Sequence, residues 1–98
     1  MIKGFRTYDL AVELYEKCEH IRAKRHVKDQ LSRASLSVVL NLAEGSGKPT
    51  QSDQRRYYSI AMGSLREVQA LLQITKTETH YELAHRLGGS LYRLIHSR

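Results

Sequence analysis

Apolar residues recur at three- and four-residue steps along most of the chain, and the breaks between these runs divide it into four helical segments. From about Asp9 to Lys24, the residues Ala11, Leu14, Tyr15, Cys18 and Ile21 form one stripe. Asp9, Glu13, Glu16 and His20 make the opposite, mainly acidic face. Phe5, just before this helix, is expected to fold back on its first turn. The stretch RAKRHVK (Arg22 to Lys28) then breaks the rhythm and reads as a connection. A second helix, from about Lys28 to Glu44, carries Leu31, Ala34, Leu36, Val38, Val39, Leu40, Leu42 and Ala43, too many apolar residues for one core-facing stripe. Only Gln30, Arg33, Ser37, Asn41 and Glu44 gather into a polar strip. The surplus predicts that Leu36, Val39, Leu40 and Ala43 pack against another copy of the chain, unless helix two is simply enclosed by its own chain.

Gly45 stands where a left-handed residue would end that helix, and the following SGKP supplies a loop. Thr50 and Asp53 resemble a capping box that opens a third helix reaching about Thr75, with Tyr57, Ile60, Ala61, Ser64, Leu65, Val68, Leu71 and Leu72 at helical spacing. Gly63 interrupts it; an internal glycine costs about 1 kcal/mol relative to alanine, so a second backbone is expected close by. KTETH is the last connection, and Thr79 with Glu82 forms a second capping pair. Tyr81, Ala84, Leu87, Leu91, Leu94 and Ile95 continue to the chain end, with Gly88 and Gly89 marking close helix contact or a kink. The expected fold is all-α, a single domain over residues 1–98, forming an antiparallel up-and-down four-helix bundle with helices at about 9–24, 28–44, 51–75 and 80–97.

Composition agrees with this picture and adds a partner class. A chain of 98 residues with 41% hydrophobic and 27% charged residues suits one globular domain, and no apolar run is long enough to span a membrane. The lone Cys18 cannot form an internal disulfide, and the start of the chain lacks the apolar core of a secretory signal, so a cytoplasmic setting is expected. The net charge of +6 would attract a polyanion, though it would also serve solubility alone. An up-and-down bundle brings Lys3, Arg6, Lys48, Arg55, Arg56, Arg93 and Arg98 to one pole, against Asp9, Glu44 and Asp53. Tyr57 and Tyr58 beside them could stack on bases or simply pack. Arg22, Lys24, Arg25 and Lys28 make a second basic patch at the opposite pole.

The sequence offers little for catalysis. GSGK at Gly45 to Lys48 follows a helix and lacks the spacing of a phosphate loop. His20, His26, His80, His85 and His96 have no paired metal-ligand spacing, so neither metal nor cofactor is expected. Glu44 and Glu67 could be buried acids, but a glutamate so placed is more often tied to an arginine such as Arg33 or Arg66. Arg22 and His26 stand one residue too close for the arginine–histidine pair of helical ribonucleases. The reading is therefore non-enzymatic.

Two segments carry a family resemblance. The first is S-x-x-x-N-L-A-E-G, with Ser37, Asn41, Leu42, Ala43, Glu44 and Gly45; the second is I-A-x-G-S-x-x-E, with Ile60, Ala61, Gly63, Ser64 and Glu67. The chain resembles the four-helix-bundle family named for proteins encoded in intervening sequences of bacterial 23S ribosomal RNA. That resemblance implies a closed homopentamer and a fold shared with the accessory proteins of diversity-generating retroelements, which bind nucleic acid and a reverse transcriptase. It also makes Ser37, Asn41, Glu44, Gly45, Gly63, Ser64 and Glu67 signature positions, with Asn41, Glu44, Ser64 and Glu67 expected to form a polar network between helices.

Overall fold

A computed structural model of the chain describes residues 5–97 as four α-helices: α1 (Arg6–Cys18), α2 (Arg25–Ser46), α3 (Gln51–Ile74) and α4 (Tyr81–His96). A short 3-10 turn, Glu78–His80, leads into α4. Lys3 and Arg98, both placed at the basic pole from the sequence, lie outside the described residues. Each helix packs on the next and α4 closes against α1, giving a rod with extents of 40 × 21 × 21 Å. Its axis is filled by leucines: Leu14, Leu31, Leu42, Leu65, Leu72, Leu87 and Leu91 are fully buried. Such side chains contribute on the order of 2 kcal/mol each by leaving water. The few buried polar groups are satisfied, with Thr7 of α1 and Ser90 of α4 bonding to each other across the core.

The helix ends depart from the sequence expectation in instructive ways. α1 stops at Cys18, not near Lys24, and Ile21 turns into the core from the following loop. α2 begins at Arg25, so Arg25, His26 and Lys28 belong to its first turns and the connection is residues 19–24. No side chain caps the start of α2. Instead Lys28 Nζ donates to the carbonyls of Glu19 and Ile21, at 2.9 and 3.1 Å, and Val27 packs against the core. A basic first turn opposes the helix dipole, and together with the broken apolar rhythm it made this segment read as a connection.

α2 also runs through Gly45 to Ser46, and its C-cap Gly47 has φ −91°, so no left-handed glycine ends it. Gly45 is needed for closeness: a Cβ there would lie 2.8 Å from Tyr58 Cε1 and 3.0 Å from Tyr57 Cβ. α3 opens as expected, with Thr50 Oγ1 accepting from the Asp53 amide at 3.1 Å. It closes on Lys76, whose φ of 57° is left-handed. The amides of Lys76 and Thr77 donate to the carbonyls of Gln73 and Leu72, at 3.1 and 2.9 Å, the hydrogen-bond pattern that usually carries glycine at this position. Lys76→Gly is therefore expected to stabilise the fold by about 1 kcal/mol, read as a higher urea midpoint with an unchanged slope.

Thr79 is not a cap: its hydroxyl contacts His80 Nδ1 at 3.3 Å, and α4 starts at Tyr81 without a side-chain capping bond. The 3-10 turn displaces the first amides from the geometry that the Thr79–Glu82 spacing anticipated. Gly88 and Gly89 sit within a single uninterrupted helix, and a Cβ at Gly88 would make only an ordinary 3.6 Å contact with Leu65 Cδ2.

Candidate nucleic-acid interface

The start of α1, the end of α2, the start of α3 and the end of α4 meet at one end of the rod, but the basic residues there fall into two groups. In the first, Lys48 Nζ and Arg56 Cζ each lie 5.0 Å from the centroid of the Tyr57 ring. Gln54 Nε2 donates to the Lys48 carbonyl at 2.9 Å, tying the loop to α3, and Glu44 pairs with the Lys48 ammonium at 3.1 Å. The bond from Glu44, with the charge of Tyr57 next, holds the Lys48 pKa above the usual lysine value. Arg55 is exposed beside this group. Tyr57 is only half-buried, whereas Tyr58 is buried against Gly45 and Phe5, with ring centroids of Phe5 and Tyr58 6.2 Å apart. Tyr58 is thus a packing residue, and its burial raises its hydroxyl pKa.

The second group was only partly visible in the sequence. Arg6 and Arg93 line a groove between α1 and α4 together with His85 and Arg86, which the sequence reading passed over. The available signal was the seven-residue spacing of Arg86 and Arg93, two turns along one helix face. At the other pole Arg22, Lys24 and Arg25 are exposed, while Lys28 is committed to the α1 terminus.

The signature positions separate by role. Ser37 of α2 and Ser64 of α3 share a 2.7 Å hydroxyl contact, and Asn41 Nδ2 donates to the Ser37 carbonyl at 2.9 Å and to its hydroxyl at 3.2 Å. Arg33 pairs with Glu67 and is braced by Gln30 Oε1 at 2.8 Å. These residues zip α2 to α3 along one seam. Glu44 stands outside the seam, on Lys48, and neither carboxylate is buried: the side chains of Glu44 and Glu67 are 55% and 40% exposed.

On the outer side of the same helix pair, Leu36, Leu40 and Ile60 are 37%, 56% and 46% exposed. Ala43 is half-buried, but Val39, assigned to an inter-subunit surface from the sequence, turns inward and belongs to the core at 8% exposure. One helical step separates Val39 from Leu40, about 100°, enough to place one inside and the other outside. Gly63 is exposed with no atom within 4 Å of an added Cβ, so the expected second backbone is not supplied by the described residues.

No histidine, carboxylate, lysine or arginine is buried among the described residues, and none of their His, Cys, Asp and Glu side chains cluster as a metal site. The Cys18 thiol is buried, its pKa raised to about 11 by burial and then by the nearby Glu19 charge, with the Ser35 hydrogen bond acting in the opposite sense. Because the unfolded thiol ionises first, this group removes stability as the pH climbs above 9 toward 11. A thiol reagent such as DTNB is expected to leave Cys18 unmodified in native protein at pH 8 and to modify it fully in urea. No helix among the described residues is long and apolar enough to cross a membrane.

The described residues thus form a leucine-cored helical bundle with basic side chains at its ends and Leu36, Leu40 and Ile60 exposed on α2 and α3. The chain belongs to the 23S rRNA-intervening sequence protein family, whose model matches residues 5–93, from before α1 to near the end of α4. No curated protein and no solved structure matches it.

Proposed function

We propose that this chain is a non-enzymatic protein that assembles with copies of itself and binds nucleic acid, RNA ahead of DNA, through basic surfaces multiplied by the symmetry of the assembly. The observation that carries the binding half is the arrangement of Lys48 and Arg56 around a half-buried Tyr57 with Arg55 alongside. Lys48 and Arg56 lie over the Tyr57 ring, which holds two positive charges together next to Arg55 and suits contact with the phosphates of a strand. The assembly half is supported by Leu36, Leu40 and Ile60, exposed on α2 and α3, and by Gly63 of α3, whose helical cost no close contact among the described residues offsets. The closed homopentamer implied by the family resemblance is the assembly we favour, because a closed ring covers such a face on every copy.

The test is a mobility-shift titration of single-stranded RNA at several salt concentrations, comparing native protein with Arg55→Glu/Arg56→Glu. Native protein is expected to bind with an affinity that falls steeply with salt, and the double variant to bind at least tenfold more weakly. Equal binding by both proteins removes this pole from the interface. An absence of native binding at low salt overturns the nucleic-acid reading and favours instead a scaffold that docks on a protein such as a reverse transcriptase.

A further inference from the structure

We propose that the groove between α1 and α4 is the path of the nucleic-acid backbone, with Arg6, Arg86 and Arg93 holding its phosphates over a floor made by Gly89 and Ser90. This assignment rests on the nucleic-acid reading and adds the route the strand takes, along the α1–α4 side of the bundle. The groove has a volume of about 250 Å³, and His85 joins the three arginines in its wall. All three arginines are exposed, and the ion pairs among the described residues engage only Arg33 with Glu67 and Lys48 with Glu44. Three guanidinium groups facing one cleft repel each other unless an anion sits between them, and their planar forks match phosphate oxygens two at a time.

The floor supports the same occupant. Gly89 stands in the middle of α4, where glycine costs about 1 kcal/mol relative to alanine. The core does not require it, because an added Cβ would meet nothing nearer than Arg93 Nη1 at 3.7 Å. What its missing side chain provides is room beneath the Arg93 guanidinium. Ser90 beside it is held by its bond to Thr7, which fixes α1 and α4 to one another at this level. Arg6 and Arg86 also line an adjoining stretch of about 360 Å³, together with Leu10, Asp9 and Glu13. Those carboxylates repel phosphate and bound the site on that side.

Position within the bundle completes the case. The helices are packed in the cyclic order α1, α2, α3, α4, so the α1–α4 groove lies across the rod from the apolar α2–α3 face. A copy packed on that face does not itself cover the groove, and the symmetry of the assembly would repeat the groove on every chain. Arg86 and Arg93 are about 10 Å apart along the helix axis, long enough to engage more than one phosphate of a strand.

The experiment is fluorescence anisotropy of a labelled single-stranded oligouridylate titrated with full-length protein between low and moderate salt. Arg86→Gln/Arg93→Gln is expected to weaken binding about tenfold or more at low salt, and to flatten the log–log salt dependence by about 1.4 for two lost phosphate contacts. Asp9→Asn/Glu13→Gln is expected to tighten binding. Gly89→Gln, which fills the floor without altering charge, is expected to weaken it, and this variant answers the question should the arginine pair disturb folding. Native binding with unchanged affinity and salt slope in the arginine variant, or native affinity in Gly89→Gln, overturns the groove and leaves the nucleic-acid reading standing. Failure of the native protein itself to bind oligouridylate overturns that reading, and the groove with it.

Discussion

Protein carrying Leu40→Arg together with Ile60→Arg is expected to stay helical and folded while losing self-association. Within one chain both side chains already face outward, at 56% and 46% exposure, so a charged replacement costs the isolated fold about 0.5 kcal/mol or less. Covered by another copy, each arginine would be a charge taken out of water without a partner, a cost of about 3 kcal/mol or more. The dissociation constant for assembly is therefore expected to rise by at least two decades, seen by sedimentation velocity as a shift to the monomer. Gly63→Ala sharpens the comparison because its two effects have opposite signs. The helix gains about 1 kcal/mol of propensity, with open space around the new methyl group, while any close approach by a neighbouring copy is obstructed. A higher thermal midpoint for the isolated chain together with weaker assembly is a pattern that simple misfolding cannot produce.

Gly45→Val is expected to destabilise the fold by overpacking the α2–α3 contact. The first carbon of the new side chain would fall 2.8 Å from Tyr58 Cε1 and 3.0 Å from Tyr57 Cβ, well inside contact distance. Tyr58 has little freedom to retreat, being buried against Phe5 and the core. Overpacking of this kind costs about 1–3 kcal/mol, and at roughly 4–8 °C per kcal/mol for a domain of this size the thermal midpoint falls measurably. Gly47→Ala is the matched control: its Cβ would sit 3.7 Å from the Glu44 carbonyl oxygen, at an unstrained φ of −91°, and stability is expected to stay within about 0.5 kcal/mol.

The helical periodicity carried the architecture, since leucines such as Leu31, Leu42, Leu65, Leu72, Leu87 and Leu91 recur on single faces and those faces have only one another to cover them. The helix termini were less legible. Lys28 satisfies the end of α1 from a distance of nine residues, and Lys76 takes a conformation normally reserved for glycine. Neither arrangement follows from a local residue preference. The polar strip of α2 was visible, but its direction was not: Gln30, Arg33, Ser37 and Asn41 turn toward α3, which leaves Leu36 and Leu40 outside. The candidate interface divided for a related reason. Sequence placed Arg6, Lys48, Arg55, Arg56 and Arg93 at one pole, and only the packing of α1 on α4 sets Arg6 and Arg93 apart beside Arg86. Gly63 illustrates the limit, because its cost was evident in the sequence while its open surroundings were not.

The most direct measurement is the mass of the native protein in solution, by sedimentation equilibrium at micromolar concentration. If other copies cover the Leu36, Leu40 and Ile60 face, the protein sediments as one closed species of several chain masses, five being the expected number, with no monomer of 11.3 kDa until it is diluted. A single species of 11.3 kDa at every micromolar concentration would contradict the account, leaving the apolar face and the open Gly63 unexplained.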